Sequence, residues 1–177
     1  MKIVQWTLAF IGMVALAALA VGFFLPATFE VTRSVVIDAP EARIYDDIVD
    51  PRIWKKWSVW TRRDPQMDIA YAGPPFGQGA KWSWKSKSEG TGSMEFVRVE
   101  PNKRIEYTLS FPDFGMKSAG DFTFEERNGA THVTWTNAGD MGGNPLKHYL
   151  AVAMDRMVGP DFEGGLANLK AVAESSK

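Results

Sequence analysis

The sequence predicts an α+β domain, an antiparallel sheet of about seven strands covered by one long C-terminal helix. Two short helices are expected after the first strand, and one apolar helix ahead of the domain. Three observations lead there. Between Pro145 and Ala173 apolar side chains recur at helical spacing. Between Phe29 and Asn137 most segments alternate apolar and polar residues, with Gly, Pro and Asn between them. Ile3 to Leu25 is almost wholly apolar, with Gln5 and Thr7 its clearly polar side chains.

The apolar run comes first. A bilayer core takes about 20 such residues in a helix, so residues 3–25 are read as a single membrane span. Ala18-Leu19-Ala20 also offers a small-x-small cleavage site, but the apolar run continues through Leu25, longer than a usual signal core. The retained anchor, residues 1–27, is therefore preferred over a cleaved signal, with the domain occupying residues 28–177. Lys2 is the charge at the first end, so the positive-inside tendency puts the main domain on the non-cytoplasmic side of the membrane. Ala18 and Gly22, four apart, would let another helix approach closely.

Phe29 to Ile37 alternates as a strand and runs into Asp38-Ala39-Pro40, a helix start. Ile44, Ile48 and Val49 mark one side of a short helix that Asp50-Pro51 ends, and a second short turn holds Ile53, Trp54 and Trp57. Thr61 to Gln66 reads as irregular. Strands follow at Met67–Ala72, Ala80–Lys85, Ser93–Glu100, Arg104–Phe111, Gly120–Glu125 and Thr131–Asn137. Pro101-Asn102-Lys103 and Asn128-Gly129 mark hairpins. Asn144-Pro145 gives the last helix an N-cap and a first-turn proline. Its stripe runs through Leu146, Tyr149, Leu150, Ala153 and Met157, then Phe162, Leu166, Leu169 and Ala173. Gly159-Pro160 is expected to kink or break it.

Composition narrows the function. The chain has 177 residues, a one-domain length, with 20 Lys plus Arg against 21 Asp plus Glu and a formal net charge of −1. No basic stripe interleaved with aromatics occurs, so nucleic acid is not an expected partner. Cysteine is absent and His132 and His148 are the histidines. They show no metal-ligand spacing, and both are expected on the surface. Gly73-Pro74-Pro75-Phe76-Gly77-Gln78-Gly79 leads into a strand rather than a helix, so it is a loop and not a phosphate cradle. No motif for a catalytic residue, a metal or a cofactor is visible.

Several short wordings, taken in order, resemble the START-like or SRPBCC superfamily, in its polyketide cyclase/dehydrase-like branch. They include Val35-Val36-Ile37-Asp38-Ala39-Pro40, Trp54-Lys55-Lys56-Trp57-Ser58, Glu100-Pro101-Asn102-Lys103-Arg104, Gly129-Ala130-Thr131-His132-Val133-Thr134-Trp135 and Phe162-Glu163-Gly164-Gly165-Leu166. The resemblance covers roughly residues 29–174 and implies a helix-grip fold with a cavity between sheet and long helix. It implies an apolar small molecule or lipid as partner, with cyclisation or dehydration in some members.

The candidate ligand-binding residues are the inward row Trp82, Trp84, Tyr107, Leu109, Phe122 and Trp135, with Phe162 and Leu166 from the helix. Tyr107 and the indole N–H groups are the expected polar contacts. Trp54, Trp57 and Trp60 are open between a ligand entrance and a core plug. A dry void of about 300 Å³ would forgo roughly 7 kcal/mol, so a cavity of that size would collapse, fill with ligand or be wetted. An enzyme of the cyclase/dehydratase kind would need a buried titratable group, for which Tyr107, Asp155 and Arg156 are the candidates. A protein-binding module at the membrane is the third reading, and a large exposed apolar patch would mark it.

Overall fold

Every alternating segment of the sequence becomes a strand of one sheet. A computed structural model describes residues 2–175. Helix α1 (Lys2–Phe24) precedes β1 (Thr28–Ile37), then α2 (Glu41–Val49), a 3-10 turn (Ile53–Lys56) and α3 (Val59–Arg63). Strands β2 (Asp68–Ala72), β3 (Lys81–Ser86), β4 (Gly90–Glu100), β5 (Arg104–Phe111), β6 (Met116–Arg127) and β7 (Ala130–Asp140) lead to α4 (Pro145–Glu174). The sheet runs β1-β7-β6-β5-β4-β3-β2, antiparallel throughout. Strands β1 and β2, neighbours in sequence, thus form opposite edges, and the short helices cross the sheet between them. This is the helix-grip arrangement, preceded by one helix long and apolar enough to cross a membrane, with a mean hydropathy of 2.3.

Local signals act where the sequence placed them. Asn128 and Gly129 adopt φ 56° and 82°, the paired left-handed geometry of a tight hairpin turn. The Asn144 side chain accepts the Leu146 N–H at 3.0 Å and caps α4. On the inner face of the sheet Phe96, Ile105, Tyr107, Phe122, Val133 and Trp135 are buried, against Phe162, Leu166, Leu169 and Ala173 of α4. The Trp135 ring stacks on Phe162 with centroids 3.9 Å apart and planes 9° from parallel, and on its other side meets Phe122 at 4.7 Å. Gly165 permits this closeness, because a Cβ there would stand 3.1 Å from the indole.

Four expectations need correction. Helix α4 is unbroken across Gly159-Pro160. Pro160 and Arg156, whose carbonyl loses its usual partner, both face solvent, so the missing bond leaves no buried acceptor. The first half of the helical stripe is not covered by the sheet: Leu146, Leu150 and Met157 are exposed. From Met157 to Phe162 the pattern advances five residues, about 140° out of phase, so the two halves of the stripe point in different directions. His148 is buried rather than on the surface. Finally, α3 extends into the stretch expected to be irregular, and β4 and β6 begin three and four residues earlier than the alternation suggested.

Space beneath the second half of α4 is filled by side chains. Leu166→Trp should therefore overpack the core and lower stability by about 1–3 kcal/mol. The shift of the urea midpoint at constant slope measures it, and an unchanged midpoint would mean that room exists there.

Candidate functional site

The site is built by the residues that end α2. The last carbonyls of a helix have no partner within it. Here two indoles supply them: Trp54 Nε1 donates to the Ile48 carbonyl at 2.8 Å and Trp57 Nε1 to that of Asp47 at 3.0 Å. This pairing draws both rings under the 3-10 turn and into the middle of the domain. Trp54 then meets Trp57 at 4.5 Å, Trp82 at 5.0 Å, Phe122 at 5.8 Å and Trp135 at 6.1 Å. Trp60 Nε1 donates to Asp161 at 3.0 Å, and Arg63 links Asp161 to Glu89, so α3 is tied to both α4 and the β3–β4 hairpin.

A cavity of about 180 Å³ remains between these elements and strands β2–β5. Pro51, Trp54, Ser58 and Trp60 roof it, and Ile69, Tyr71, Trp82, Trp84, Met94 and Leu109 line its floor. Lys55 and Glu89 also reach it. The apolar and aromatic character of the wall makes an empty, dry space costly: at roughly 24 cal/mol per Å³ it would forgo about 4 kcal/mol. Trp84 owes its position to Gly92 opposite it on β4, where a Cβ would come within 2.2 Å of the indole.

The eight sequence-predicted residues divide. Trp82, Trp84 and Leu109 line the cavity. Tyr107, Phe122, Trp135, Phe162 and Leu166 do not; they pack against one another in the solid core. The cavity accordingly lies under the 3-10 turn and α3, not under α4, because the stack of Phe162 on Trp135 occupies the space below the long helix. Of the three tryptophans left open between entrance and plug, Trp54 and Trp60 face the cavity, while Trp57 is fully buried among the core rings.

The hydroxyl of Tyr107, the expected polar contact, is engaged within the core. Tyr107 donates its hydroxyl to the Thr136 carbonyl at 3.1 Å and accepts from Trp135 Nε1 at 2.9 Å and Asn137 Nδ2 at 3.3 Å. Burial pushes its phenol well above the ordinary tyrosine range, and the network keeps it turned inward. Tyr71 is the residue that sequence reasoning passed over. It lines the cavity, and its buried hydroxyl finds no hydrogen-bond partner among the described residues. Burial raises this phenol too, while the Arg52 guanidinium, 5.4 Å from the ring centre, counteracts it. The alternation of Ile69 and Tyr71 along β2 was the available signal.

The other titratable candidates lie elsewhere. Asp155 pairs with Arg33, which also bonds Glu163, on the outer side of α4, and Arg156 is exposed. Among the described residues, no three His, Asp or Glu side chains gather as metal ligands do.

A family model described as polyketide cyclase / dehydrase and lipid transport matches residues 28–174. Among solved structures, the Chromobacterium violaceum protein CV1439 is similar at 19% identity and a TM-score of 0.55, over 84% of this chain and 97% of that one. The Mesorhizobium loti protein MLL2253 is similar at 18% identity and 0.58, over 84% and 98%. The Staphylococcus aureus protein SA2116 is similar at 13% identity and 0.63, over 84% and 95%. At such identities the likeness is one of fold. No curated protein matches the chain.

Removing the Tyr107 hydroxyl would strand two buried N–H donors. Tyr107→Phe should lower unfolding free energy by about 1–3 kcal/mol, read by urea denaturation, while leaving binding of an apolar probe to the cavity unchanged. Weakened probe binding without lost stability would place Tyr107 in the site after all.

Proposed function

The chain belongs to the polyketide cyclase/dehydrase and lipid transport family, and from that premise we propose that it binds an apolar small molecule or part of a lipid while anchored in a membrane through α1. The observation that carries this reading is the cavity itself, apolar on nearly all sides, with Lys55, Ser58, Thr61 and Glu89 among the few polar residues that reach it. Binding sites combine such a wall with a few polar groups that fix orientation. Its volume is below the roughly 300–1,000 Å³ of pockets that enclose a drug-sized ligand. The fitting ligand is therefore a largely apolar one, a ring or a short acyl segment. Trp54, Trp60, Trp82, Trp84, Met94 and Leu109 would contact its apolar part.

Helix α1 supports the anchor. Its 23 residues would be about 35 Å long, enough for a hydrocarbon core of about 30 Å, and nearly all of its apolar side chains lie outside the domain. The main domain is proposed to lie on the non-cytoplasmic side, following Lys2.

An environment-sensitive apolar fluorophore should bind the purified protein and be displaced by short-chain lipids. Tyr71→Phe should leave the melting temperature unchanged or raised, because it removes a buried hydroxyl that has no partner among the described residues. Leu109→Trp should fill the cavity and abolish probe binding. A parent protein that binds no apolar probe, and releases no small molecule on denaturation in native mass spectrometry, would end the binding reading.

The anchor has its own check. Intact mass of the membrane-fraction protein should include residues 1–27, and protease added to the non-cytoplasmic face should digest the domain. A chain beginning at Val21 would remove the anchor, and a domain protected until lysis would reverse its side.

A further inference from the structure

We propose that the first turns of α4, together with the tip joining β5 to β6, form a surface that seats on the lipid bilayer beside α1. The proposal rests on α1 as a membrane span. Gly22 is the residue of α1 that the domain buries, and a Cβ there would come within 2.5 Å of the Pro145 carbonyl oxygen. The two helices thus touch backbone to backbone. Side chains of α4 then bond the carbonyls of α1: His148 Nδ1 lies 2.8 Å from the Gly22 oxygen, and Tyr149 donates its hydroxyl to the Ala18 oxygen at 2.8 Å. The other ring nitrogen of His148 lies 2.8 Å from the Gly142 carbonyl, so the ring stands packed between α1 and the segment that begins α4.

These contacts fix direction as well as proximity. Pro145 is level with Gly22 and Tyr149 with Ala18, so α4 starts by running back along α1 toward the membrane. Ala18 lies about 9 Å from the Phe24 end along the helix axis. With Phe24 at the boundary of the hydrocarbon, the opening turns of α4 reach the depth at which interfacial helices bury their apolar faces, about 5–10 Å. The side chains found there suit it. Leu146 and Leu150 are exposed, Tyr149 is partly so, and Phe114 at the β5–β6 tip is 66% exposed. Lys147 Nζ donates to the Phe114 carbonyl at 3.3 Å, which holds that tip against α4.

Charge does not oppose that occupant. Lys147 and the exposed Lys117 flank the tip together with the exposed Asp113 and Asp140, which accept the Thr91 and Gly142 N–H groups, so the rim is balanced in charge around its apolar side chains. Phe111, which leads into the tip, lines the cavity, so the seat adjoins the site.

The chain has no cysteine, so a single introduced one gives one labelling position. The full chain is reconstituted in phosphatidylcholine/phosphatidylglycerol vesicles carrying lipid spin-labelled near the head of the acyl chain. Fluorophores are placed at Leu150→Cys, Phe114→Cys, Leu8→Cys within α1, and Val36→Cys at the far end of β1. The first three should lose about half their emission or more at interfacial depth, and the label at position 36 should lose none. If the label at position 8 is quenched while those at 114 and 150 behave like that at 36, α1 spans but the seat does not exist. An unquenched label at position 8 removes the span and the seat with it. Labels at 114 and 150 that are shielded from aqueous iodide yet untouched by the lipid quencher would show a second protein copy covering the face, which also overturns the proposal.

Discussion

A helix is about 10 Å across, and seven strands stand about 4.8 Å apart. One helix cannot cover such a sheet, and the architecture follows from that shortfall. Helix α4 covers the β1, β7, β6 side, where Phe162 can stack on Trp135 and the interior is solid. The strands toward β2 are left to a 3-10 turn of four residues and a helix of five. Elements so short present few side chains, and beneath them the interior does not close.

What keeps the thin cover in place is hydrogen bonding more than area. The indoles of Trp54 and Trp57 satisfy the end of α2, Trp60 holds Asp161 of α4, and Asn168 donates to the Trp57 carbonyl at 3.0 Å. Each of these groups would otherwise be a buried or half-buried polar atom without a partner, so displacing the cover breaks several bonds together. Trp54 and Trp60 also supply the aromatic roof. A space that would otherwise collapse is thus propped open by residues whose polar ends are engaged elsewhere.

Much of this was legible in the sequence, and the reasons for the rest are physical. Period-two alternation fixes which strand face is inward, so Trp82, Trp84, Leu109, Tyr107 and Trp135 were assigned one face correctly. Alternation says nothing about what stands opposite. Only the fold shows that Trp135 meets a helix ring while Trp84 meets a cavity. Helical periodicity has the same limit: Leu146 and Leu150 repeat as a core stripe does, but the surface they turn to is not the sheet. His148 looked like a surface residue because its partners are backbone carbonyls of α1 and of the turn at Gly142, which no side-chain pattern announces. Tyr107 and Tyr71 are alike as letters on alternating strands. Their roles diverge because Tyr107 lies beside Gly120 and Asn137, close enough for its hydroxyl to be taken up, while Tyr71 is on the edge strand, with no such neighbour.

The division of the interior into a filled and an open half bears on how such a chain can change over generations. Residues that hold the fold, such as Phe162, Trp135 and Leu169, are largely a different set from those that shape the cavity, such as Met67, Ile69 and Leu109. Mutation can therefore explore new cavity shapes while the stacked core stays as it is, and the usual conflict between altering a site and keeping a stable protein is eased. Trp54 is where the two sets meet, with rings of both halves against it. Drift should be slow there and faster along the floor of the cavity.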